Sequence, residues 1–250
     1  LSHQLKKSRV ELYLEFDQPL SSSEIAGYRS LIRRRLKREP LQYITGHQEF
    51  WSLNFLVSPA VLIPRAETEI LVEEAIKLKK GNLLSDSSQP KILDLGTGSG
   101  AIAVSLAKEI ESAIIWASDI SFEALTVARD NAKHHNLNGR IKFCQGDLFH
   151  PFLKPSIAFD IIISNPPYIP NEAFKKLPPE VGNYEPRIAL DGHENGMHFI
   201  ERIIEESGIY LKPGGWLLIE MDPDQTERAL CLIDSTQSFS YKERRQFRMS

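Results

Sequence analysis

Between Ser8 and Lys37 apolar side chains recur at helical intervals: Val10, Leu12, Leu14 and Phe16, then Ile25, Tyr28, Leu31, Ile32 and Leu36. Ser21-Ser22-Ser23-Glu24 reads as a capping box opening the second helix, because a cap Ser and a Glu three residues on satisfy each other's backbone N–H groups. The pattern predicts a small helical bundle that Pro40 ends. Phe50 to Val57 then alternates and is rich in β-formers, consistent with a strand or hairpin. Thr68 to Lys80 returns to helical spacing through Ile70, Leu71, Ala75, Ile76 and Leu78, and the polar stretch Gly81 to Pro90 reads as an exposed loop.

Beyond Pro90 strand and helix patterns alternate. Strand candidates are Lys91–Leu95, Ala113–Ser118, Ile141–Cys144, Phe159–Ser164 and Gly215–Met221, with helices near 101–110, 122–135, 196–208 and 225–235. This rhythm implies right-handed crossovers and an α/β fold with a doubly wound, Rossmann-like parallel sheet. One or two short closing strands are expected over 238–250. The expected organisation is a helical N-terminal domain over 1–42, a β-rich connector over 43–65 and a larger α/β domain over 66–250.

Composition narrows the function classes. With 42% hydrophobic and 25% charged residues the chain is an ordinary globular protein, and a net charge of −3 argues against a surface built to neutralise nucleic-acid phosphates. Its two cysteines, Cys144 and Cys231, are too few for a disulfide framework or a four-thiolate zinc site. No apolar run reaches the roughly 20 residues that span a bilayer, and the polar start has no signal-peptide core, so a cytoplasmic protein is expected. The chain opens on Leu1 without an initiator Met, which suggests trimming. The histidines show no metal-ligand spacing, and no metal is assigned.

Three motifs carry chemistry. Asp94-Leu95-Gly96-Thr97-Gly98-Ser99-Gly100 closes the first strand of the α/β part and opens a helix, where glycines let the backbone turn sharply against a ligand. Its G-x-G-x-G spacing and internal Asp94 lean toward S-adenosylmethionine over a nicotinamide cofactor. Asp119 ends the next strand candidate, and an ionised carboxylate there can accept both hydroxyls of a ribose. Gly146-Asp147-Leu148-Phe149 follows the third, where Asp147 is expected to meet an adenine amino group and Leu148 or Phe149 to cover the ring.

The most specific motif is Asn165-Pro166-Pro167-Tyr168, directly after the fourth strand candidate. An amide or exocyclic NH2 is a poor nucleophile, because its lone pair is delocalised, and it must be oriented with its hydrogens engaged. The Asn165 side-chain oxygen and the Pro166 carbonyl supply two acceptors for two donors. Pro167 stiffens the loop, and Tyr168 offers a flat face to a planar group.

These motifs, with Pro40-Leu41-Gln42-Tyr43-Ile44-Thr45-Gly46, Leu62-Ile63-Pro64-Arg65-Ala66-Glu67-Thr68-Glu69, Tyr184-Glu185-Pro186-Arg187 and Asp191-Gly192, run over nearly the whole chain. It resembles the bacterial release factor glutamine methyltransferases, the PrmC/HemK family. The resemblance implies a class I S-adenosylmethionine-dependent methyltransferase that methylates the side-chain amide (N5) of the glutamine in the Gly-Gly-Gln motif of peptide chain release factors, leaving S-adenosylhomocysteine. It implies cofactor binding by Gly96, Thr97, Gly98, Ser99, Gly100, Asp119, Asp147, Leu148 and Asn165, with Asn165, Pro166, Pro167 and Tyr168 holding the target. Release factors are then the partners, with a monomer and no stable nucleic-acid complex expected. Leu148 departs from the family, which often has an aromatic residue there, and Ala66 replaces its usual Pro.

Enzymes that methylate a ribosomal-protein glutamine, or adenine in nucleic acid, use the same loop. The Ile63 to Glu69 segment and the negative charge favour release factors. A non-catalytic reading would rest on Arg33-Arg34-Arg35-Leu36-Lys37-Arg38 docking on ribosomal RNA or an acidic partner surface, but the run reads first as a solvated helix face.

Overall fold

The computed structural model of the chain describes all residues except 82, 85–87, 153–156, 237–238, 241–242 and 244–250. Local capping chemistry shapes its first helices. After α1 (Ser2–Leu5), α2 (Arg9–Leu14) is capped by Ser8 and α3 (Ser22–Leu36) by Ser21, each through a reciprocal box with Glu11 or Glu24. No side chain of these three helices is fully buried. Pro40 does not end the helical part as expected. It is the N-cap of a further helix, α4 (Leu41–Thr45), which crosses the boundary expected at Gln42. Proline is tolerated at a helix start because the N–H it lacks has no partner there.

The connector holds one antiparallel hairpin, β1 (His47–Phe50) and β2 (Leu53–Leu56). Trp51 and Ser52 make its two-residue turn, both at positive φ (52° and 55°), the twist that such tight hairpins favour. A short 3-10 turn over Ala66–Thr68 leads into α5 (Glu69–Lys80).

The α/β part follows as β3 (Lys91–Leu95), α6 (Ala101–Glu109), β4 (Ile114–Asp119), α7 (Phe122–His134), β5 (Ile141–Gln145), β6 (Phe159–Ser164), α8 (Pro179–Gly182), α9 (His198–Tyr210), β7 (Leu211–Ile219) and α10 (Thr226–Thr236). The five strands pair in parallel in the order β5-β4-β3-β6-β7. Both faces are apolar: Ile92, Ile161 and Ile163 face α5 and α6, while Leu93, Leu95 and Ile162 belong to the core on the opposite side with Phe149 and Ile203. β7 begins earlier than expected, at Leu211, because Lys212 to Gly215 loop out between the pairs Phe159↔Leu211 and Ile161↔Trp216. The closing strands expected over 238–250 lie outside the described residues.

The order places β3 in the centre, with the chain leaving it toward β4 on one side and returning as β6 on the other. The crevice at such a reversal is where open parallel sheets bind ligands. The register brings the strand ends level, with Leu95 opposite both Ser118 and Ser164. Hence the loops after β3, β4 and β6 share one edge.

Candidate active site

The loop after β3 turns through Gly96 (φ +68°) and Gly98 (φ +55°), and a Cβ added at either would meet nothing within 4 Å. Open space therefore lies before both glycines, as a close-approaching ligand requires. The polar side chains of the loop brace it from behind. Thr97 Oγ1 donates to Asp94 Oδ2 at 2.6 Å, and the Thr97 amide donates to the Ser118 carbonyl at 2.9 Å. The Ser99 carbonyl accepts from Asn131 Nδ2 at 2.9 Å. Thr97 and Ser99 are both buried, so their contribution is to loop shape. Asp94 is fully buried, its Oδ1 has no close hydrogen-bond partner among the described residues, and burial pushes its carboxyl up to about 7, opposed by the Thr97 hydroxyl and the Ala103 amide.

Asp119 stands beside this loop. Its Oδ2 accepts from the Gly98 amide at 2.8 Å and its Oδ1 from the Ser121 amide at 2.9 Å, so the carboxylate is fixed in orientation with lone pairs to spare. Burial raises its pKa, against those amides. The loop after β5 is tied in through the Gly146 amide, which donates to the Asp119 carbonyl at 3.0 Å. Asp147 is held by Arg202 through two bonds of 3.2 and 2.8 Å. Phe149 cannot cover a ligand ring: it is fully buried and stacked on Tyr210, with centroids 4.6 Å apart. Leu148, partly exposed and at positive φ (45°), is the one of the two that remains at the surface.

The loop after β6 is set rigidly. Ser164 Oγ donates to the Leu95 carbonyl at 2.8 Å. Asn165 Nδ2 donates to Thr68 Oγ1 at 3.0 Å, and among the described residues no group donates to Asn165 Oδ1. The Tyr168 hydroxyl donates to Glu220 Oε1 at 3.3 Å, and its carbonyl accepts from Gln225 Nε2 at 2.8 Å. Burial and the Glu220 carboxylate raise the Tyr168 pKa, keeping the phenol neutral. Behind it, Ile169 and Leu190–Gly192 exchange backbone bonds of 2.9 Å. A Cβ on Gly192 would come within 2.7 Å of the Tyr168 Cα, so only glycine fits.

Asn165, Pro166 and Tyr168 open into a cleft of about 220 Å³ with apolar walls from Leu62, Ile169, Leu177, Val181 and Leu190, and with Arg65 at its side. Arg65 is paired with Glu185, which also accepts from the Ile63 amide at 3.1 Å.

Sequence reasoning missed Thr68, Glu220, Gln225 and Asn131. Thr68 sits inside a recognised motif, but nothing in its spacing says that it faces Asn165. Asn131 was detectable as one polar residue on the buried stripe Ala124, Leu125, Ala128, Ala132 of α7. Among the described residues no cluster of three His, Cys, Asp or Glu could hold a metal, and no helix is long and apolar enough to cross a membrane.

The family model "PrmC N-terminal domain" matches residues 1–46, and "Methyltransferase small domain" matches 72–177. A release factor glutamine methyltransferase of Geobacter sulfurreducens is 44% identical, over 94% of this chain and 79% of the relative. One of Rhodopirellula baltica is 42% identical, over 89% and 75%. A SAM-dependent methyltransferase structure from Agrobacterium tumefaciens, 16% identical, superposes with a TM-score of 0.52 over 76% of this chain and 57% of that one, which shows the shared fold.

Proposed function

The chain belongs to the release factor glutamine methyltransferase family, and on that premise we propose that it transfers the methyl group of S-adenosylmethionine to the side-chain amide nitrogen of the glutamine in the Gly-Gly-Gln motif of release factors. The observation that carries the reading is Asn165: one face of its amide is tied to Thr68, which leaves Oδ1 as an acceptor at the wall of the cleft.

The residues present fit the cofactor. The open space before Gly96 and Gly98 admits a ligand against backbone, and the fixed Asp119 carboxylate is an acceptor pair for ribose hydroxyls. Gly96, Thr97, Gly98, Ser99 and Gly100 would shape the cofactor loop, with Asp119 on the ribose. Leu148 would lie over the adenine, and Asp147, already shared with Arg202, would approach its amino group. The cofactor supplies an electrophilic methyl on a sulfonium, a reaction that needs no Lewis acid.

The protein's task is then to aim a reluctant nitrogen. Asn165 Oδ1 and the Pro166 carbonyl each accept one amide hydrogen, Tyr168 packs on the amide plane, and the lone pair is turned out of conjugation. The nitrogen would gain the methyl as the sulfonium carbon–sulfur bond breaks to leave the thioether, and the cationic nitrogen would then lose one of its two hydrogens to water as a proton. As positive charge develops on the nitrogen both hydrogen bonds strengthen, so they lower the barrier more than they tighten binding. The apolar cleft suits the glutamine methylenes and keeps water away. We read the protein as a cytoplasmic monomer that meets release factors transiently and forms no stable nucleic-acid complex.

Single-turnover methylation with saturating cofactor tests this. Asn165→Ala should lower the rate about a hundredfold to a thousandfold, the range for one lost preorganised contact to developing charge, with little change in cofactor affinity. Asn165→Asp should retain more activity than Ala, since a carboxylate still accepts the hydrogen. An Ala variant as fast as the unmodified protein would reduce Asn165 to a turn residue.

A further inference from the structure

An amide side chain has two faces of opposite polarity, and a half-turn about its last bond exchanges them at little steric cost. The mechanism proposed for Asn165 works only with Oδ1 toward the cleft. With Nδ2 there, two N–H groups would oppose the hydrogens of the target. Something must therefore choose the face.

Thr68 Oγ1 accepts from Asn165 Nδ2 at 3.0 Å. A hydroxyl carries one hydrogen, so having accepted there Thr68 must donate elsewhere. Thr68 is buried, and near it lies Glu220 on the exit of β7, whose Oε1 accepts from the Tyr168 hydroxyl and whose buried Oε2 has no hydrogen-bond partner among the described residues. Burial raises the Glu220 pKa, and the Thr68 hydroxyl, the Tyr168 hydroxyl and the Asn165 amide oppose it in that order. Asn165 donates to Thr68 and Tyr168 donates to Glu220. The Thr68 hydrogen and the unpartnered Glu220 Oε2 are the two ends left open, and pairing one with the other joins these groups into a single run of donors toward the carboxylate.

We infer that Thr68 and Glu220 are positioning residues for the methyl transfer: the Glu220 carboxylate fixes the direction in which Thr68 donates, and Thr68 thereby holds the Asn165 amide with its oxygen toward the target. This rests on the role given to Asn165 above. An ionised carboxylate can only accept, so the polarity of the whole chain has one solution. A protonated Glu220, or a Gln in its place, can donate to Thr68. The Thr68 hydrogen is then free to point at Asn165, and the inverted amide becomes available. The other charged groups around the pair are Glu67, which raises the Glu220 pKa further, and Arg65 and Asp222, which act on the Tyr168 phenol. Arg65 is itself paired with Glu185.

Since the folded Glu220 pKa is raised, the carboxylate is present above it and lost as pH falls through it. The rate should therefore fall on the acid side at a higher pH than an ordinary carboxyl would give. The experiment measures kcat and KM on a release factor as pH is lowered, for Thr68→Val, Thr68→Ser, Glu220→Gln and the double variant Thr68→Val/Glu220→Gln. Thr68→Val should lower kcat about tenfold to a hundredfold, the range for losing an outer partner that orients a functional side chain, with KM changed less. Thr68→Ser should restore most of it. Glu220→Gln should show a similar loss without the acid limb, and the double variant should be no worse than either single one, because the two act as one chain. A Thr68→Val variant with undiminished kcat, or losses that multiply in the double variant, overturns the inference. The side-chain amide resonances of Asn165 in the unmodified protein give a readout independent of turnover. They should shift with the Glu220 carboxyl titration, and an amide indifferent to it overturns the inference whether or not release factor proves to be the substrate. Failure of the unmodified protein to methylate release factor would instead sink the proposed function and leave this titration to decide the orientation.

Discussion

Asp94 shows how a single residue can be placed against its own chemistry. It is fully buried, close enough to Asp119 for that carboxylate to raise its pKa further, and reaches a folded value of about 7 against an ordinary 3.8. The native protein therefore binds more protons than the unfolded chain between those values. The contribution of Asp94 to stability in the absence of cofactor should be greatest below the lower value and be lost as pH rises through the upper one, by roughly 4 kcal/mol at most. Denaturant titrations across this range should show the decline in the unmodified protein and not in Asp94→Asn, and parallel profiles would place the slope elsewhere. The sequence identified Asp94, the glycines, Asp119 and the Asn165 loop, because each has a chemistry that its residue type announces. Thr68 and Glu220 were silent, because a hydroxyl and a carboxylate acquire direction only from neighbours that the fold brings from far along the chain. Between Leu148 and Phe149 the sequence could not choose for the same reason: the type of Phe149 permits covering a ligand, and its packing against Tyr210 is what turns it inward.

At the scale of elements, the hairpin is fastened to the cofactor loop by Asn131 of α7. Its Oδ1 accepts from the Leu56 amide at 2.7 Å, and its Nδ2 donates to the carbonyls of Leu56 and Ser99 at 3.0 and 2.9 Å. Asn131→Ala leaves those buried groups without partners and should cost about 3 kcal/mol of stability. It should also weaken cofactor binding, since Ser99 lies between Gly98 and Gly100. Calorimetry and thermal unfolding together check this, and a variant destabilised with unchanged cofactor affinity would separate the brace from the site. The sheet itself was legible because strands apolar on both faces, spaced by helical patterns, leave few alternatives to a parallel layer. Two element ends were not. Pro40 reads as a stop yet caps α4, and the strand expected from Gly215 begins at Leu211, with Lys212 to Gly215 looping out within it. The first is a local matter, since a proline's missing N–H has no partner at a helix start, whereas the second is set by the pairing of Leu211 with Phe159.

Across the whole molecule, the helical part is joined to the wall of the target cleft. Arg35 and Arg38 of the basic run both pair with Glu180 at 3.0 Å, and the Tyr184 hydroxyl donates to the Lys37 carbonyl at 2.6 Å. Arg34 is paired with Glu39. The run is thus the solvated face expected, with three of its cations, Arg34, Arg35 and Arg38, also paired within the chain. Exposed pairs of this kind are worth about 1 kcal/mol or less. Arg35→Ala and Glu180→Gln should each raise KM for a whole release factor by roughly twofold to fivefold, without adding to each other and without affecting a short Gly-Gly-Gln peptide. Additive effects would mean that Arg35 touches the release factor directly. The central claim concerns which nitrogen receives the methyl, and it is tested most directly by offering tritiated S-adenosylmethionine to the protein with purified release factor, ribosomal proteins and DNA together, then mapping the label. The account predicts label on the release factor, on the glutamine of its Gly-Gly-Gln motif, and appearing about a hundredfold to a thousandfold more slowly with Asn165→Ala. Label on a ribosomal protein or on adenine, with the release factor unmodified, would contradict it.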